Sequence, residues 1–151
     1  MPSKSIIAAM AVILSVAGAS IAYAGREQGG SHVIKLTAKT TEIAFVDNGR
    51  SGVNPGDRFV AASDLLRGDR KVGEAGTECT VIRVVGTNSD CVVTASLPDG
   101  QLTFQSLASI TGEGQSYTAA VTGGSGRYRT ARGDATLSLA SGAGDVTIRL
   151  R

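Results

Sequence analysis

Short runs of apolar and β-branched residues alternate with clusters of Gly, Asn, Asp, Ser and Pro along most of this chain. Val33 to Val46 is the first such run, with the period-2 spacing of a strand. "DNGRSGVNPGD" (Asp47 to Asp57) is dense in Asn, Gly and Pro and reads as a loop. Arg58 to Leu66 is apolar at alternate positions, with Phe59, Ala61 and Leu65 on one parity. "RGDRK" turns the chain into a long strand, Val72 to Val85, and "GTNSD" turns it back into Cys91 to Leu97. "PDG" (Pro98 to Gly100) has Pro and Gly where a tight turn wants them. Gln101 to Leu107, Tyr117 to Val121, Tyr128 to Ala140 and Asp145 to Arg151 complete the set. None of these segments sustains a helical 3.6-residue pattern over three turns. Strands recurring every ten residues or so, with hairpin-type turns, predict one all-β domain, an antiparallel sandwich or barrel. There is no internal repeat and no low-complexity tail.

The first residues follow a different pattern. Lys4 supplies a short positive region, and Ile6 to Ile21 is an uncharged run rich in Ala, Val, Ile and Leu. Ala22-Tyr23-Ala24 then has the small–x–small form of a signal-peptidase site. The expectation is a signal peptide over residues 1–24, cleaved before Gly25, and a secreted domain over residues 25–151. The alternative is an uncleaved anchor, since the run is just long enough to span a bilayer.

Charge and composition narrow the partners. Removing the leader takes away one lysine and no acid, so the formal charge falls from +2 to +1. Phosphate binding on the scale of nucleic acid needs a basic stripe, whereas Arg and Asp/Glu are interspersed here. With no Trp and few aromatics there is no stacking platform for bases. Nucleic acid is therefore not an expected partner, nor is a membrane once the leader is gone.

Two cysteines, Cys79 and Cys91, in an exported chain favour a disulfide. The short loop it closes is worth about 3 kcal/mol in the chain-entropy model. The alternative is two free thiols on different sides of a hairpin. A turn centred on Gly86 to Ser89 does not place the two cysteines opposite one another, and a longer, looser loop is needed to do so.

Much chemistry is excluded. The one histidine, His32, lies near the expected mature terminus, which leaves no Ser-His-Asp triad, no core Cys-His pair and no multi-His metal site. The acids show no EF-hand spacing, and neither metal nor organic cofactor is expected. "AVTGGSGRYRTARGDATL" (Ala120 to Leu137) holds three glycines in four positions, Gly123, Gly124 and Gly126. "TGGSGR" lacks the Gly-Lys-Ser/Thr ending of a P-loop and the spacing of a dinucleotide fingerprint. Both motifs also open a helix, whereas "YRTARGDATLSLA" reads as strand. The glycines are expected to supply positive φ at a strand-to-strand corner.

"GDRFVAASDLLRGDRKVGEAGTECTVI" (Gly56 to Ile82), "LPDGQLTFQ" (Leu97 to Gln105) and "AVTGGSGRYRTARGDATL" resemble, in the same order, the allene oxide cyclase and dirigent-protein superfamily. The resemblance runs from about Val33 to Arg151, and its most distinctive part is the glycine loop followed by an aromatic and then Arg-Gly before a strand. It implies an eight-stranded antiparallel β-barrel with a lumen open at one end. Plant relatives cyclise an allene oxide fatty acid or steer phenoxy-radical coupling, and some bacterial relatives cyclise polyketides. In each, a mostly apolar cavity folds a flexible substrate, and confinement alone can lower a barrier by several kcal/mol. The resemblance makes Glu42 in "TEIAF" the counterpart of the cyclases' first-strand glutamate, while their asparagine two positions later is Ala44 here. Cys79 aligns with a plant-cyclase cysteine. Trimers formed through the outer barrel wall are also implied.

Because strand residues alternate faces, charged residues within strands are candidates for the lumen. Glu42 is the candidate catalytic residue, and Asp64, Glu78 and Arg83 are candidate ligand contacts flanked by apolar positions. A carboxylate in an apolar lumen is harder to ionise and can act as an acid or base. The competing placement for each is the solvent face. Tyr128 either closes the barrel or contacts a ligand, Arg132 braces a corner, and Phe45, Phe59 and Phe104 form core or cavity lining. Two functions follow: an exported barrel binding an apolar small molecule, as cyclase, isomerase or dirigent-like guide, or a non-catalytic secreted carrier or interaction protein. The first expects a cavity of a few hundred Å3 with an ionisable group inside. The second expects a filled or purely apolar lumen.

Overall fold

Each alternating run becomes a strand in the computed structural model of the chain, which describes residues 32–109, 115–140 and 142–151. The expected leader and its cleavage site lie outside the described residues. The strands are β1 (His32–Val46), β2 (Arg58–Arg67), β3 (Arg70–Arg83), β4 (Asn88–Leu97), β5 (Gly100–Ser109), β6 (Ser116–Gly124), β7 (Gly133–Ala140) and β8 (Ala143–Leu150). Every strand pairs antiparallel with its sequence neighbour, and β8 pairs with β1. The sheet closes on itself, so of the two all-β architectures the chain adopts the barrel. Closure removes the sheet edges except at the β5–β6 seam, where pairing ends at Gln105–Ala120 and Ser106–Ser109 and Ser116–Ala119 have no partner across it among the described residues.

Directly opposed residues of antiparallel strands share a face, and the pairing register therefore sorts the chain into lumen and outer wall. Ile34 pairs with Ile148 and Leu36 with Val146, while Ala95 pairs with Leu102 and Val93 with Phe104. These residues form the main core, together with Leu65, Val121, Tyr128, Ala131, Ala135 and Leu150. Leu102 and Ile148 are 0% and 1% exposed, and burying each such side chain contributes about 1.5–3 kcal/mol. This cluster fills the end where β1 begins and β8 finishes. Phe104, a candidate lining residue, is part of that filling.

The glycine loop closes the same end. Sequence reading extends a strand back to Tyr128, but Gly126–Tyr128 forms one 3-10 turn and β7 begins only at Gly133. The turn folds across the β4–β5 hairpin, with the Arg127 N–H donating to the Asp99 carbonyl at 2.9 Å. Tyr128 is thereby driven inward as a plug and is buried. Gly126 takes φ +58, as a corner glycine does, whereas Gly124 is needed for close approach. A Cβ there would lie 2.5 Å from the Gln101 carbonyl oxygen and 2.6 Å from that of Tyr128.

Four bulges interrupt the register among the described residues. Thr41, Val72, Ile82 and Thr122 are extra residues between successive paired positions. A bulge reverses which parity points inward. Along β1, even-numbered residues up to Thr40 face the lumen, and after Thr41 the odd-numbered Ile43 and Phe45 do, since they pair with Ala61 and Phe59.

Candidate functional site

The other half of the lumen mixes small residues with Ile43, Phe45, Phe59 and Tyr117. One ring of lateral partners runs Phe45, Phe59, Cys79, Cys91 and Ser106. Below it, Ile43 is level with Ala61 and Thr77, and Thr40 with Ser63. Tyr117 pairs with Leu137 on the same inner face. The rings of Phe45 and Phe59 pack tilted, centroids 4.9 Å apart. Although all of these point into the barrel, Ile43 is 72% and Phe45 43% exposed, and Phe59, Ala61, Ser63, Thr77, Ser106 and Tyr117 are half-buried. Solvent therefore reaches part of the inner face at this end, beside a small buried cluster of Cys79, Val81, Ser89, Cys91 and Ala108 on which Phe59 and Tyr117 pack.

The rim is held by a fixed loop. Asp57 is fully buried, and its carboxylate accepts the backbone N–H groups of Asn48 at 2.9 Å and Asn54 at 2.6 Å. Gly56 N–H and Val81 N–H tie the same stretch to β3 through the Val81 and Asp57 carbonyls, each at 2.8 Å. The Asn/Gly/Pro-rich segment is thus a strapped rim. Ser89, lateral partner of Val81, carries a buried hydroxyl without a protein partner among the described residues.

Cys79 and Cys91 are directly opposed and joined by a disulfide on the lumen side. The reading of a turn at Gly86 to Ser89 is corrected here. The hairpin turns earlier, with Thr87 N–H donating to the Val84 carbonyl at 2.9 Å, and the bulge at Ile82 completes the register. A disulfide is consistent with an oxidising, extracellular location.

All four charged candidates fall on the outer wall. Glu42 pairs with Ala62, one step past the Thr41 bulge, and is exposed. Arg83 pairs with Asn88, one step past the Ile82 bulge. Without those bulges, alternation from Thr40 and Val81 would carry both inward. Asp64 and Glu78 lie on the outward parity of β2 and β3 and are engaged there. Lys71 Nζ is 2.7 Å from Asp64 and 2.6 Å from Glu74, and Arg58 is 3.3 Å from Glu78. The hydrogen bond to Asp64, and then that to Glu74, raises the Lys71 ammonium above the ordinary lysine range. The structure does not bring these candidates together around the lumen.

Among the described residues, the accessible inner face of the open half holds no Asp, Glu, Lys, Arg or His; His32 has inward parity but stands at the closed end, and Asp57 is buried within the rim loop. The polar groups of that open face are hydroxyls, Thr40, Ser63, Thr77, Ser106 and Tyr117, and the Tyr117 hydroxyl donates to Gln115 Oε1 at 2.9 Å. Of the aromatic candidates, Phe59 lines the open half and Tyr128 plugs the far end. Sequence reading passed over Tyr117 and Ser106. The usable signal was parity: Ser106 shares the inward parity of Phe104 and Ala108, while apolar Leu107 is 68% exposed on the outer wall. No group of three or more His, Cys, Asp or Glu among the described residues is placed to hold a metal.

A family model described as "Allene oxide cyclase barrel like domain" matches residues 20–143. Among solved structures, pyocyanin demethylase is 25% identical, with a TM-score of 0.72, over 80% of this chain and 100% of that one. The pterocarpan synthase dirigent protein is 19% identical, with a TM-score of 0.60, over 80% of this chain and 88% of that one. A Diels Alderase from Streptomyces koyangensis is 15% identical, with a TM-score of 0.63, over 79% of this chain and 63% of that one. At these lower identities the last two likenesses establish the fold alone. No curated protein matches the chain.

Proposed function

The chain belongs to the allene oxide cyclase barrel-like family, and from that premise we propose that its open half-lumen binds a neutral, largely apolar small molecule and steers its ring closure or coupling by shape. The observation that carries this is the make-up of the accessible inner face of the open half: two phenylalanines, aliphatic side chains and hydroxyls beside a buried disulfide, with no charged group among the described residues. An uncharged lining disfavours a charged guest, whose desolvation nothing would offset. It suits a neutral one, whose few polar atoms the hydroxyls can meet. The names of the relatives attach this fold to a demethylation, a Diels–Alder reaction and pterocarpan synthesis, so the scaffold serves more than one reaction. Catalysis here rests on holding a reactive conformation, with Tyr117 and Ser106 as orienting hydroxyls rather than a carboxylate acting as acid or base. The family's trimer through the outer wall and export by the leader belong to the same proposal. Sedimentation at high concentration tests the first, and the mass of the secreted chain, expected to begin at Gly25, tests the second.

The same uncharged lining favours a second reading, a secreted carrier that binds such a molecule without converting it. Turnover screens on polyenes and phenols separate the two. Binding itself is tested with the neutral fluorophore N-phenyl-1-naphthylamine. Ala61→Trp and Ser106→Trp, which fill the open lumen, are expected to weaken its binding by about tenfold or more, a loss of about 1.4 kcal/mol. Val92→Trp on the outer wall is expected to leave it unchanged. Equal binding by the filled variants would sink the lumen as the site.

A further inference from the structure

The closed end of the barrel concentrates positive charge. Between Ser125 and Arg132 the chain carries Arg127, Arg129 and Arg132 and no acid. β8 returns to the same end, where the Arg151 N–H donates to the Arg132 carbonyl at 2.8 Å, and it brings Arg149 and Arg151 alongside. Two aspartates meet this group. Asp99 lies 3.7 Å from Arg127, and Asp134 is shared between Arg149 at 3.3 Å and Arg151 at 4.0 Å. The Arg127 and Arg151 contacts are longer than a charge-assisted hydrogen bond, which runs at about 2.7–2.9 Å. Arg129 is exposed with no side-chain partner among the described residues. A carboxylate on residue 151 would not balance the five arginines.

Two of these arginines border an open hollow. His32, Arg127, Thr130 and Arg151 stand around a hollow of about 270 Å3, against the apolar surface of Tyr128, Ala131 and Leu150. The His32 ring and the Thr130 hydroxyl have no partner among the described residues. Two guanidinium groups, a hydroxyl and an imidazole offer more donors than the two oxygens of one carboxylate can use. A tetrahedral oxyanion, with at least three acceptor oxygens and up to two charges, matches them. The tyrosine, alanine and leucine leave a place for an apolar group attached to that oxyanion.

We propose that this hollow at the closed end is a second binding site, one for a phosphate monoester carrying a small apolar group. It stands on the opposite end of the barrel from the open lumen and does not depend on what the lumen binds. The probe is phenyl phosphate, titrated calorimetrically into the full chain at low salt, with benzoate as the carboxylate of similar apolar size. Phenyl phosphate is expected to bind at least about tenfold more tightly than benzoate, and its affinity to fall as salt rises. The double variant Arg127→Gln/Arg151→Gln is expected to weaken it by about tenfold or more. Both side chains are largely exposed, so the variant should fold, and its thermal unfolding is the check. Arg58→Gln at the other end and Ser106→Trp in the lumen should leave the affinity unchanged. Absence of saturable phenyl phosphate binding, equal affinity for benzoate, or an affinity that follows Ser106→Trp and not the arginine pair would each overturn the proposal.

Discussion

The two halves of the barrel share the same eight strands and the same inward alternation, yet they use their inner faces differently. In the closed half the inward residues are Ile34, Leu36, Leu65, Leu102, Phe104 and Ile148, and Tyr128 seals them from below. In the open half the inward residues step down to Thr40, Ala61, Ser63, Thr77 and Ser106. The remaining aromatics among the described residues, Phe45, Phe59 and Tyr117, belong to this half. Inward side-chain volume, and the β5–β6 pairing that stops at Gln105–Ala120 on the open side, distinguish the two halves. The contrast separates a closely packed half from one whose inner face is partly open, and the lumen reading proposed above rests on that difference.

Truncating an inward side chain in each half breaks or confirms that contrast most directly. Leu102→Ala removes a fully buried side chain from close packing and is expected to cost about 3–5 kcal/mol. Phe45→Ala points into the same lumen, but the side chain is already 43% exposed, and its loss should cost well under half as much. Urea unfolding of both variants measures the ratio. Comparable losses would mean that the open half is packed as core, and the lumen reading would fall with it.

Most of the frame, and less of the site, was legible before any coordinates. Eight apolar runs correspond one to one with β1–β8, because each alternates and each is closed by Gly, Asn, Asp or Pro at a turn. The parity of Phe59, Ala61 and Leu65 already separates Asp64 from the lumen side of β2. Glu42 and Arg83 were not legible in this way. Each lies just beyond a bulge, at Thr41 and Ile82, which reverses every face after it; on β1 the switch shows only as a change from even Ile34 and Leu36 to odd Ile43 and Phe45, blurred by the apolar Ala44 and Val46. The cysteine register failed for the same reason, with the hairpin turning at Val84–Thr87 rather than two or three residues later. Tyr128 looked like the start of a strand because a single 3-10 turn is too short to show a period.

A smaller effect comes from glycine, again with one test residue in each half. Gly133 holds φ +143 where β7 leaves the glycine loop, and a Cβ there would overlap the carbonyl oxygen of Arg149 on β8. Gly133→Ala is expected to cost at least about 1–3 kcal/mol from the backbone conformation alone. Gly76 lies on the outer wall of β3, and a Cβ added to it meets nothing within 4 Å. There Gly→Ala restricts the unfolded chain without a clash, and a gain of about 0.5–1 kcal/mol is expected. Thermal unfolding of the two variants should move in opposite directions. A loss at Gly76 matching that at Gly133 would show that the glycines are not distinguished by the packing around them.

The smallest effect concerns the outer wall, where the two halves should not differ. The closed half carries Lys71 between Asp64 and Glu74, and the open half carries Arg58 beside Glu78, all at least partly exposed. Exposed pairs of this kind are screened and contribute little, so neither Lys71→Gln nor Arg58→Gln should shift Tm by more than a degree or two at physiological salt. The Lys71 contribution nevertheless has a definite sign. Its pKa is raised in the folded chain by the hydrogen bonds to Asp64 and Glu74, so the folded state holds this proton more tightly than the unfolded one. The bonus is complete below the ordinary lysine range and disappears as pH rises through the raised value. Subtracting the unfolding midpoint of Lys71→Gln from that of the parent cancels the contributions of every group the two chains share. That difference should be positive at neutral pH and low salt, and shrink toward zero in alkali or in about 1 M salt. A difference that grows with pH would reverse the sign argued here. A large difference confined to Lys71 would place part of the asymmetry between the halves on the outer wall, and not in the lumen alone.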